Sequence, residues 1–178
     1  MHCLARQTLK TRWDDSQQPL NTHVPYVWRR WLRDSGSLTK HLIQASQGHF
    51  SVDSPAPRCA LPNVAESKAL AIPQRQLAVI REVKLKGCGN VWVYARTVIP
   101  VSSLKGRLRQ LHHIGNRSLG SILFSDRTMR RGPIEVCKLT DDTLGELFAR
   151  RSLFFLSGHP LLVSEVFLPA LLQVNYQP

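Results

Sequence analysis

Two long runs of alternating polarity, 76–86 and 90–101, flank Gly87-Cys88-Gly89. Glycine reaches positive φ without steric cost, so this pattern prescribes an antiparallel hairpin and confines the chain to folds that accept one. Residues two apart in a strand share a face. In the first arm Leu77, Val79, Arg81, Val83 and Leu85 lie on one side, with Ala78, Ile80, Glu82, Lys84 and Lys86 on the other. The more apolar row is the one containing Arg81. A second hairpin has arms 151–156 and 161–168, joined at Ser157-Gly158-His159-Pro160, a cluster of strong turn formers. Its second arm places Glu165 in the apolar row Leu161, Val163, Phe167. An ion in such a row costs several kcal/mol unless it is paired or hydrogen-bonded. Arg81 and Glu165 therefore form an ion pair between strands, or they hold something polar between them.

The chain has 178 residues, 43% of them hydrophobic, and no Gly, Ser or Gln tract, which fits one domain with a real core. Residues 1–20 are expected to form a basic, mobile arm and 21–178 a single domain. A helix is expected over 26–47, where Trp28, Trp31, Leu32, Leu38, Leu42 and Ile43 fall near one stripe. Gly36 and Ser37 mark a break, with Ser35 or Ser37 as cap of the second piece. Pro55, Pro57 and Pro62 make 51–62 a loop or a poorly paired edge. A helix over 103–113, a short apolar helix or turn over 118–124 and a strand within 128–139 complete the pattern. Hairpin-linked strands imply an α+β fold: a single antiparallel sheet of about six strands with helices on one side.

Lys and Arg number 24 against 12 Asp and Glu, a net charge of +12, which calls for an anionic partner: nucleic acid, an acidic membrane surface or a small polyanion. The basic residues are scattered from Arg6 to Arg151, which argues against nucleic acid. Cys3, Cys59, Cys88 and Cys137 form no Cys-x-x-Cys pair, and no apolar leader precedes the first helix. A soluble cytoplasmic protein with reduced thiols is the expectation. His112 and His113 match no ligand spacing, so no metal is expected.

Five segments in register carry a resemblance to a known family: DSGSLTKHL after the Trp-Leu helix, IREVKL, ARTVIPVSSL, IGNRSLGSILF and RRSLFFLSGHPLLVSEVFLPA. Across about 28–170 the chain resembles the bacterial chorismate pyruvate-lyases. The resemblance implies release of pyruvate from chorismate to give 4-hydroxybenzoate for ubiquinone synthesis, without metal or organic cofactor. It also implies that Arg81 pairs with a ligand carboxylate, that backbone at Leu38 and Leu119 encloses the ligand, and that Glu165 meets its hydroxyl end. The strand pattern agrees, since an inward Arg can hold a carboxylate bidentately and an inward Glu can accept from a hydroxyl across a small ring. Two positions depart from the family pattern: Leu38 stands where Met is common, and Ala95 replaces a glycine.

Arg96 is a second candidate for substrate binding, because it alternates with Trp92, Tyr94 and Val98; the competing account is a surface arginine on an aromatic shelf. Arg81, with Arg96, would neutralise the substrate, while Glu165 orients the ring hydroxyl. An enclosed pocket should release product slowly. A monomer is expected, with weak contact to anionic membranes through the surplus charge. The alternative is a non-catalytic effector-binding domain of the same fold, as in certain bacterial regulators. A basic scaffold or nucleic-acid-binding protein, with Arg81 and Glu165 merely paired, is a third.

Overall fold

The computed structural model describes residues 13–15, 24–105, 109, 118–176 and 178. The expected mobile arm lies almost wholly outside them, and so does most of the helix expected over 103–113. Its first residue, Ser103, instead ends a 3-10 turn, Val101–Ser103.

The expected 26–47 helix is two helices, α1 (Tyr26–Arg33) and α2 (Leu38–Ala45). The break falls at Gly36-Ser37, and the Ser37 side chain accepts from the Lys40 backbone N–H, capping α2. The first hairpin is β4 (Ala78–Gly87) and β5 (Asn90–Pro100), turning on Cys88 and Gly89, both at positive φ. The second is β8 (Gly145–Leu156) and β9 (His159–Phe167), turning on Ser157 and Gly158, again both at positive φ. Two-residue turns of this hand match the strand twist.

With β1 (Asp14–Asp15), β2 (Phe50–Asp53), β3 (Arg58–Ala60), β6 (Arg130–Arg131) and β7 (Glu135–Asp141), the strands among the described residues form one nine-stranded sheet. Its order is β1-β7-β8-β9-β5-β4-β2, with β3 on β4 and β6 on β8, and every pairing is antiparallel. The α+β class and single antiparallel sheet stand. The expected count of about six is too low: β3 and most of β2 fall in the stretch expected to be a loop or a poorly paired edge, and β1, β3 and β6, of two or three residues, are too short to display a period of two.

Helices lie on both faces, a second correction. On the inner face α1 and α2 place Trp28, Trp31, Leu32, Leu38 and Leu42 against Val83, Leu85, Val93, Phe148 and Phe167. Beside them α4 (Leu119–Leu123) packs on Val79, Ile99, Phe154 and Val163. On the outer face α3 (Val64–Ala69) and the following Leu70 cover Ala78, Val98 and Leu162. A capping box starts α3: Asn63 Oδ1 accepts from the Glu66 N–H, and Glu66 accepts from the Asn63 N–H.

The β4–β5 register shifts between Leu85 and Lys86, so Leu85 opposes Val93 and Lys86 opposes Val91. Trp92 is the extra residue, and the irregularity turns its indole into the inner core with Val93. The alternation assumed for β5 therefore fails at Trp92. Gly87 leaves room for the ring, since a Cβ there would lie 2.1 Å from the indole.

Candidate active site

The inner face supplies the floor of a pocket and the helices its roof. Arg81 on β4 lies opposite Thr97 of β5; Glu165 on β9 lies opposite Ala95 of β5 and Arg150 of β8. All five line one pocket with Val83, Leu85 and Val163. Over it sit Leu38 and Thr39 at the start of α2 and Leu119, Gly120 and Leu123 of α4. A hydrogen bond of 2.6 Å between Thr39 Oγ1 and Ser118 Oγ ties the two roof helices together. The pocket thus contains Arg81, Glu165, Leu38 and Leu119, the residues singled out by strand parity and by the resemblance. Ala95 lines it too, where its methyl narrows the floor beside Glu165.

Arg81 is 4% exposed, and burial lowers its pKa because a desolvated guanidinium is disfavoured in the charged form. A bound carboxylate would offset that cost. Glu165 pairs with Arg150 and not with Arg81: Arg150 Nε donates to Glu165 Oε2 at 2.6 Å. Arg150 Nη1 donates to the carbonyl oxygens of Trp31 and Asp34, each at 2.7 Å, and the guanidinium lies over the Phe167 ring. Arg150 therefore holds Glu165 in place and anchors the C-terminal end of α1 to the sheet.

Arg131 is a third pocket arginine. Its Nε donates to Ser152 Oγ and its Nη1 to the Ser35 carbonyl, with Phe154 beneath the guanidinium. Burial, and next the charge of Arg150, hold its pKa down to about 10, partly opposed by Glu165 and Asp34. An open cleft bordered by Arg33, Ser35, Phe124 and Met129 begins on the far side of Arg131.

Neither Arg131 nor Arg150 emerged from the sequence. For Arg150 a signal exists: Phe148, Arg150, Ser152, Phe154 and Leu156 form one row, visible once the strand is begun at Gly145. Beginning it at Arg151 hides that row. For Arg131, on a two-residue strand, no pattern exists.

Arg96 does not belong to the pocket. It is on the outer face, where Nε donates to Glu66 Oε1 and Nη1 to Glu82 Oε1, each at 2.6 Å. Burial works against its charge, but the hydrogen bonds and negative charges of Glu66 and Glu82 outweigh it and raise the pKa. Arg96 is a structural residue that fastens α3 to the sheet, and the expectation of substrate binding fails because parity sends it away from Ala95 and Thr97.

The arrangement suits a small flat anion: a cation at one end, an acceptor held ready at the other, apolar walls between. Among the described residues no group of His, Cys, Asp and Glu could hold a metal ion. The family model for chorismate lyase matches residues 8–175. The chain belongs to the chorismate lyase family.

Relatives in this family include a probable chorismate pyruvate-lyase from Marinobacter nauticus, 44% identical over 82% of this chain and 78% of the relative. Another from Pseudomonas putida is 42% identical, covering 86% of each chain. Among solved structures, PhnF from Mycobacterium smegmatis superposes with a TM-score of 0.54 at 14% identity, over 78% of this chain and 66% of that one. A GntR-family transcriptional regulator from Bacillus cereus gives 0.51 at 12% identity, over 68% and 93%. At that identity the likeness concerns the fold alone, and the family membership rests on the sequence relatives.

Proposed function

We propose that the protein is a cofactor-independent chorismate pyruvate-lyase of the cytoplasm, a monomer that converts chorismate to pyruvate and 4-hydroxybenzoate for ubiquinone synthesis. The observation that carries the reading is the shared pocket of Arg81 and Glu165, in a chain whose relatives bear that name. Arg81 takes the ring carboxylate, backbone at Leu38 and Leu119 closes over it, and Glu165 accepts from the ring hydroxyl.

Chorismate stores its own driving force. The ether C–O bond breaks, the hydrogen of the hydroxyl-bearing carbon leaves the ring, and the ring becomes aromatic. The released enolpyruvyl group gains a proton on its methylene carbon and becomes pyruvate. The protein's part is to hold one reactive conformer and to meet charge with charge already in place. Arg150 keeps Glu165 aimed at the hydroxyl, so no reorganisation is needed as the reaction proceeds. A roof tied through Thr39 and Ser118 favours slow release of product and inhibition by it. Weak contact with anionic membrane surfaces, through the surplus positive charge, completes the proposal.

The test is metal-free purified protein with chorismate, following pyruvate and the aromatic product. Stoichiometric pyruvate and 4-hydroxybenzoate, lost in Arg81→Ala and Glu165→Ala, is the expected result. Binding of 4-hydroxybenzoate without turnover would make the protein an effector-binding relative.

A further inference from the structure

Chorismate carries two carboxylates and 4-hydroxybenzoate one. If Arg81 takes the ring carboxylate, the other, on the enolpyruvyl ether, still needs a counter-charge. That ether is attached to the ring carbon next to the one bearing the hydroxyl. A hydroxyl directed at Glu165 therefore brings the second carboxylate to the Glu165 end of the pocket, away from Arg81.

Among the described residues, two guanidiniums flank that end. Arg150 is committed, with Glu165 and the carbonyls of Trp31 and Asp34 as its partners and 1% of its surface exposed. Arg131 is not. Its acceptors are neutral oxygens: Ser152 Oγ at 3.1 Å, the Ser35 carbonyl at 2.9 Å and the Asp34 carbonyl at 3.4 Å. Among the described residues no carboxylate lies within ion-pair distance of it. The Phe154 ring, 5.1 Å from the guanidinium carbon, fixes the plane of the fork. Arg131 also belongs to both this pocket and the more open cleft beyond it, which is where a group that must depart as a separate anion should be held.

We propose that Arg131 binds the enolpyruvyl carboxylate of chorismate and so distinguishes substrate from aromatic product. The proposal rests on the chorismate-lyase reading. The lowered pKa of Arg131 is consistent with it, since the charge of a bound carboxylate would offset the effects of burial and of the nearby Arg150.

A stable probe is 3-(carboxymethoxy)-4-hydroxybenzoate, which keeps the ether, the hydroxyl and both carboxylates, compared with the methyl ester of its side chain. The wild-type protein should bind the acid about tenfold or more tightly than the ester, because only the acid offers a charge-assisted pair. Arg131→Met should abolish that preference and lower kcat/KM for chorismate about 100-fold, mostly through KM, while the Kd for 4-hydroxybenzoate moves less than about threefold. Arg131→Lys should retain part of the preference. Equal binding of acid and ester by the wild type overturns the assignment, whether or not the Met variant folds. So does a Met variant that folds and loses 4-hydroxybenzoate as severely as the acid, which would mark a structural role. If the wild type neither releases pyruvate from chorismate nor binds 4-hydroxybenzoate, the chorismate-lyase reading itself falls.

Discussion

Arg150 and Glu165 show how opposite charges can share an apolar face. Glu165 alone would be an expensive side chain, and Arg150 alone a worse one, at 1% exposure. Together, with two backbone carbonyls accepting from Nη1, they satisfy each other. Removing one partner leaves the other buried and uncompensated. Arg150→Met is therefore expected to destabilise the fold by about 3–5 kcal/mol in urea unfolding. The double variant Arg150→Met with Glu165→Met should cost less than the sum of the two single changes, and strict additivity would deny the pairing. Both residues that alternation singled out line the pocket, because a lone charge in an apolar row is visible without any tertiary information. The partner of Glu165 was not legible. Pairing across β8 and β9 is set by hairpin register, and β8 starts six residues before the arm that the apolar run suggested.

At the scale of elements, two glycines hold the roof and floor in place. A Cβ on Gly120 would sit 2.8 Å from Thr39 Oγ1, so Gly120→Ala must push α4 from α2 and strain the Thr39–Ser118 hydrogen bond. The expected outcome is faster dissociation of 4-hydroxybenzoate in stopped-flow, with little change in the urea midpoint; an unchanged dissociation rate would show that the roof does not govern release. On the floor, Gly87→Ala drives a methyl into the Trp92 ring, which is 1% exposed. Overpacking of this kind should cost about 1–3 kcal/mol, read from thermal or urea unfolding. The long strands and their two turns were legible, since glycine-rich turns and alternation are local signals. Less local features were not. The shift that turns Trp92 inward depends on pairing between β4 and β5, the short strands β1, β3 and β6 have no period to read, and α3 was missed although Asn63 and Glu66 stand at capping-box spacing.

For the whole molecule, the unexplained quantity is the net charge of +12. Among the described residues the pocket accounts for three arginines, Arg81, Arg131 and Arg150. Much of the acidic complement is already engaged: Glu66 and Glu82 with Arg96, Glu135 with Arg151, Glu146 with Lys138, Asp53 with Lys86 and Glu165 with Arg150. The positive surplus is therefore not neutralised within the protein and acts as a field around it. A Lys or Arg near an anionic bilayer contributes about 1 kcal/mol, and that attraction decays within a Debye length of about 8 Å at physiological ionic strength. Only the few residues facing the lipid at one time would count, so the proposed contact would be weak and reversible. Co-flotation with vesicles containing acidic phospholipid is expected at low salt, with release at about 0.5 M salt and none with purely zwitterionic vesicles. Binding that survives high salt would indicate an apolar insertion instead, and absence of flotation at low salt would leave the charge to a soluble anionic partner.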